Sequence, residues 1–92
     1  MTANELVKQM VKDWNDSIDY FMDNDLPGIL QERGIRVHNG KICMNDWFKA
    51  MQIVREQNFY ERGYKLLKDL RSRGYDVKMD MQSNKLCYYG LI

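Results

Sequence analysis

Residues 59–91 read FYERGYKLLKDLRSRGYDVKMDMQSNKLCYYGL, and a change of period partway along sets the architecture. Phe59, Gly63, Leu66 and Leu70 recur at i, i+4, i+7 and i+11, one stripe of a helix, and Leu67 widens it. Arg71 and Arg73 place a basic last turn ahead of Gly74, a residue suited to a left-handed helix cap. Tyr75, Val77, Met79 and Met81 then alternate with polar residues, and Ser83-Asn84 signals a turn into a second strand ending near Leu91. The spacing predicts a helix over residues 59–73 followed by a β-hairpin.

Working back to the start, Thr2 with Glu5 three residues on is a capping box, so a first helix is expected over residues 3–23. Val7, Val11, Trp14, Ile18 and Phe21 form its apolar stripe, with Leu6, Met10 and Met22 beside it. Lys8, Lys12, Asn15, Asp16, Asp19 and Asp23 fall on the wet side. The stripe suits a core, and its spacing of about 3.5 would also serve a homodimer through this helix. Residues 23–28, DNDLPG, are expected to break the helix. They do not make a calcium loop, because Pro27 and Gly34 occupy the fifth and twelfth loop positions where ligands belong.

A short helix is expected over residues 26–33, closed by Gly34. Asn39-Gly40 between alternating segments predicts a two-residue hairpin that pairs Val37 with Ile42 and Ile35 with Met44. Asn45 or Asp46 is expected to cap a third helix over residues 46–57, with Trp47, Ala50, Met51 and Val54 buried. Gln57-Asn58 then turns the chain into the closing helix. Arg33-Gly34-Ile35-Arg36-Val37 and Arg73-Gly74-Tyr75-Asp76-Val77 use the same cap-and-hairpin device twice.

Ninety-two residues, 45% hydrophobic and with eleven aromatics, fit one small α+β domain spanning residues 1–92. No run is apolar enough to cross a membrane and the N-terminus has no signal-peptide pattern, so a cytoplasmic protein is expected. Cys43 and Cys87 read as reduced, half-buried strand residues, with a disulfide between the two hairpins as the alternative. Two cysteines and His38 cannot make a structural zinc site without carboxylates, so neither metal nor cofactor is expected. Three serines, one threonine and one histidine supply no nucleophile–base set and no glycine-rich phosphate loop is present, which argues against an enzyme.

The net charge of +1 hides a polarity. Residues 1–25 hold two lysines against six acids, and residues 26–92 hold twelve basic residues against seven acids. A basic rear with an acidic front suits a nucleic-acid face opposite an outer helix. With Phe59, Gly63, Leu66 and Leu70 turned inward, the closing helix presents Lys65, Lys68 and Ser72, with Arg62, Tyr64 and Arg71 on the flanks and Arg73 at its end. Lys65, Lys68 and Arg71 would contact phosphates, and Tyr64 and Arg62 would lie near bases of duplex DNA.

The run Leu67-Lys68-Asp69-Leu70-Arg71-Ser72-Arg73-Gly74-Tyr75-Asp76-Val77 and its hairpin resemble the recognition helix and wing of winged-helix domains. Residues 46–57 and 59–73 share the proportions of a helix-turn-helix pair. A second resemblance covers residues 30–50: Leu-Gln-Glu-Arg-Gly-Ile, then Asn-Gly-Lys, then a capped helix, is similar to the DNA-binding segments that follow serine-recombinase catalytic domains. Both imply a small non-enzymatic DNA-binding regulatory protein. Residues 30–54 also resemble part of the small phage anti-sigma factors, which implies a phage- or mobile-element-type protein that binds or inhibits a host complex. That alternative draws on the surplus of aromatic and Met residues, with Phe48, Tyr60 and Tyr89 as its contact residues.

Overall fold

The computed structural model describes all 92 residues, and it is an α+β protein of four α-helices and two small antiparallel hairpins. The elements are α1 (Ala3–Tyr20), a π-helical turn (Phe21–Asp25), α2 (Leu26–Glu32), β1 (Val37–His38), β2 (Lys41–Ile42), α3 (Met44–Arg55), α4 (Phe59–Ser72), β3 (Tyr75–Met79) and β4 (Leu86–Leu91). They pack as two compact units, Met1–Ile18 with Phe59–Ile92, and Asp19–Asn58. No helix is long and apolar enough to cross a membrane.

In the first unit, Val7 and Val11 of α1 meet Leu67 and Leu70 of α4 and Val77 and Leu86 of the hairpin. Burying each of these aliphatic side chains contributes about 1.5–3 kcal/mol. Thr2 caps α1 as its sequence implies, its hydroxyl accepting the Glu5 amide at 3.1 Å. Gly74, at φ +93°, closes α4 in the left-handed region. The hairpin carries an irregularity: Val77 pairs Tyr88 but Tyr75 pairs Leu91, so β4 holds one extra residue, and Gly90 at φ +109° absorbs the bulge. β3 stops at Met79 instead of running to Met81. There Asp80 folds the chain back, its carboxylate accepting the Gln82 amide at 3.0 Å and the Ser83 hydroxyl at 3.0 Å. Those two bonds hold its pKa below the usual carboxylate value.

Polar ties across the sequence complete this unit. The Trp14 indole donates to the Asn84 carbonyl at 2.9 Å. The Asn15 amide donates to the Leu86 carbonyl and accepts the Leu86 amide, both at 2.8 Å. Asn15 therefore does not lie on the wet face expected for it. Its carboxamide acts as an extra peptide group along β4. Gly63 explains itself by the same packing, because a Cβ there would stand 2.9 Å from the Trp14 ring and 2.8 Å from the Met79 methyl.

The second unit corrects several expectations. The chain does not break at residues 23–28: it stays helical through the π turn into α2. Leu26 donates to the Phe21 carbonyl five residues back, and this wider turn lets Pro27, which has no amide hydrogen, enter α2 in its first turn. Asn39 at φ 52° and Gly40 at φ +74° form the expected turn, and Val37 pairs Ile42. The Ile35–Met44 pair does not form, because β2 ends at Ile42 and Met44 already belongs to α3. Neither Asn45 nor Asp46 caps α3; Cys43 holds that position and its carbonyl accepts the Asp46 amide at 2.9 Å. The buried side of α3 is Ala50 and Ile53, with Val54 half-buried, whereas Trp47 and Met51 lie exposed with Met44 and Phe48. Cys43 and Cys87 are both free and exposed rather than half-buried, and Cys43 lies outside β2.

Candidate nucleic-acid interface

The outer side of α4 carries an ordered row. Tyr60 and Tyr64, four residues apart, stack with centroids 5.9 Å apart and planes within 5°. Lys68, four further on, places its ammonium 4.9 Å from the Tyr64 ring centroid. Helical geometry makes such a row, since residues i, i+4 and i+8 lie one above the other. Stacking holds the rings upright, and the Lys68 charge over the π face is worth roughly 0.5–1 kcal/mol at an exposed site. Lys65 projects beside the row, exposed and without an ion-pair partner.

The arginines expected at the interface are differently employed. Arg62 sits 5.4 Å from both the Trp14 and the Phe59 ring centroids, so its guanidinium covers the aromatic edge of the core. Arg71 donates its Nε to the Val77 carbonyl at 2.8 Å, closing the open edge of β3, and its remaining N–H groups keep their donor capacity. Arg73 bridges to Asp69 at 3.3 Å on the exposed end of the helix. The fold brings together Tyr64, Lys65 and Lys68 of the expected set, adds Tyr60 from the protein-binding set, and ties Arg62 and Arg73 to their own neighbours.

Two further side chains join from the hairpin. Lys78 was not singled out by the sequence, yet its ammonium lies 5.3 Å from the Tyr89 ring centroid. The register explains it: Lys78 pairs Cys87, so Tyr89 is its diagonal neighbour on the same sheet face. Knowing the pairing would have found it; alternation alone could not. Between α4 and the hairpin runs a groove of about 220 Å³, lined by Tyr60, Tyr64, Arg71, Lys78, Met79 and Met81 among others, and no carboxylate lines it. Aromatic edges, methionines and two cations thus converge on a concave strip.

Phe48, the remaining predicted contact residue, is exposed on α3 in the second unit. His38 is exposed at the Asn39-Gly40 turn, and no three His, Cys, Asp or Glu side chains converge in a metal-binding group. Comparison with protein-family models, with curated proteins and with solved structures finds no match to this chain.

Proposed function

We propose that the chain is a non-enzymatic nucleic-acid-binding protein that takes a single strand along the α4–hairpin groove. The observation that carries this reading is the Tyr60–Tyr64–Lys68 row beside a groove edged by Arg71 and Lys78 and free of carboxylates. Aromatic faces and edges accept any base, and flanking cations follow the phosphates, which is the general solution for single strands. Tyr60 has one ring face directed away from Tyr64, so a base stacking there would extend the row. Arg71, Lys78 and Lys65 would then meet successive phosphates, and Tyr89 would offer a second platform.

A second reading is favoured by one observation. α4 runs through Gly74 directly into β3 and β4, the order of a recognition helix and wing, with Lys65 and Lys68 on its open side. In that winged-helix reading α4 enters the major groove of duplex DNA and regulates by occupying it. It asks more of Arg62, which would have to leave the Trp14 and Phe59 rings to reach a base.

Fluorescence anisotropy with a labelled single-stranded oligonucleotide and the duplex of the same sequence, each at low and moderate salt, separates the two. Salt-sensitive binding with the single strand preferred is expected. Tyr60→Ala should weaken single-strand binding about 5- to 150-fold, from the roughly 1–3 kcal/mol of a base–aromatic stack. Replacing Lys65 and Lys68 together with Ala should weaken binding across sequences and flatten the salt slope. Preference for the duplex would transfer the function to the winged-helix reading, and no binding to either at low salt would remove both.

A further inference from the structure

We infer that the uncovered apolar face of α3 is a docking site for an acidic amphipathic segment of a partner protein. Met44, Trp47, Phe48 and Met51 stand at i, i+3, i+4 and i+7, a complete helical stripe, and are 80%, 50%, 76% and 36% exposed. The helix has its buried side elsewhere, at Ala50 and Ile53, so this stripe is additional to what the core uses. At those exposures the four side chains leave on the order of 400 Å² of apolar surface in water, a size at which a patch on a monomer commonly has a role.

Charge identifies the occupant. From Glu32 to Glu56 the chain carries five cations and three carboxylates, and two of the carboxylates are engaged: Lys49 approaches Asp46 at 3.9 Å and Arg33 pairs Glu56 at 3.3 Å. Arg33 and Lys49 line a shallow groove of about 450 Å³ together with Phe48 and Ile35. Arg55 lies four residues beyond Met51, so a cation closes the stripe at its C-terminal end. Arg36 and Lys41 line a neighbouring groove of about 500 Å³ beside Cys43 and Asp46. An apolar row with cations beside Phe48 and beyond Met51 is complementary to a helix that carries apolar anchors between carboxylates. A second copy of this chain fits poorly. Two such faces would bury roughly 800 Å², below the roughly 1,200 Å² of a stable interface, and would bring like charges together.

The test uses the full chain, ¹⁵N-labelled, and two synthetic 14-residue peptides. One has leucines at helical spacing flanked by Glu; the other carries Lys in place of every Glu. Vesicles of phosphatidylcholine with phosphatidylserine form a third arm. The acidic peptide should shift amides of α3 and of residues 33–42, and bind at least tenfold more tightly than the basic one. Phe48→Ser should weaken that binding at least tenfold without moving the thermal midpoint, since Phe48 is outside the core, and Arg55→Glu should weaken the acidic peptide and not the basic one. Equal affinity for the two peptides would overturn the assignment. So would shifts confined to residues 59–92, self-association abolished by Phe48→Ser, or tighter binding to vesicles than to the peptide.

Discussion

α3 and α4 carry comparable amounts of apolar surface and spend it in opposite ways. α4 turns Phe59, Gly63, Leu67 and Leu70 inward and presents a row of tyrosines and lysines. α3 buries Ala50 and Ile53 and leaves two methionines, a tryptophan and a phenylalanine in water. The units around them differ in the same sense. The first is cross-tied by side-chain bonds to backbone some 70 residues away, at Trp14 and Asn15. In the second, Arg33 reaches Glu56 in an exposed pair at 3.3 Å, a type of contact worth about 0–1 kcal/mol. The lesson is that a helix whose apolar arc exceeds its burial has surface to offer a partner, while one matched to its core can specialise its outer side.

That contrast can be broken most sharply at Asn15. Replacing it with Ala leaves the Leu86 amide and carbonyl without their partner, at a cost of about 1–3 kcal/mol, whereas truncating exposed Phe48 should stay within about 0.5 kcal/mol. Urea denaturation of the two variants decides the matter; equal losses would erase the distinction between tied and open regions. Gly63→Ala sharpens it next. The added methyl must displace the Trp14 ring, which is fixed by its own hydrogen bond, so destabilisation of about 1–2 kcal/mol is expected even though Ala is the better helix former. Trp14 fluorescence should change with it, and a stabilised variant would show the ring to be freer than its contacts imply.

The smallest effect lies in the hairpin. Asp80 has a depressed pKa, so its contribution is complete above the unfolded carboxylate value of about 3.9 and is lost as pH falls through the lower folded value. The protection factor of the Gln82 amide should therefore fall on acidification through that range, and Asp80→Asn should abolish the pH dependence. A flat profile in the parent chain would mean the turn is held by its backbone bonds alone, such as Asn84 to the Asp80 carbonyl at 2.7 Å.

The local features were legible because local chemistry settles them. Thr2, Asn39-Gly40, Asn58, Gly74 and Asn84 all do what their conformational preferences imply. So was the stripe of α4, where polar and apolar residues separate cleanly. The phase of α3 was not, since Trp47, Ala50, Met51, Ile53 and Val54 offer more apolar positions than one core can cover, and periodicity cannot say which are left out. Asn15 was unreadable for another reason: its partner is 71 residues away, and a carboxamide on a helix gives no sign of a strand edge. At the candidate interface, Lys65 and Lys68 followed from the helix alone. The employment of Arg62 and Arg71, and the arrival of Lys78, depend on how α1 and the hairpin pack against α4, whereas the pairing of Arg73 with Asp69 is local to the helix.

The π turn at Phe21–Asp25 makes the length of this region a matter of arithmetic. Buried Phe21, Leu26 and Leu30 are spaced by five and then four residues, and the five is what an i→i+5 turn requires to keep one face aligned. The same residues wound as an uninterrupted α-helix would turn Leu26 and Leu30 about 100° away from the face of Phe21, whereas a chain shortened by one residue would bring the spacing back to four and keep that face. Uninterrupted α-helix would also press the proline ring against the carbonyl one turn earlier. For the alignment of this face, an added residue at the turn, which widens the spacing to six, is therefore less tolerable than a removed one.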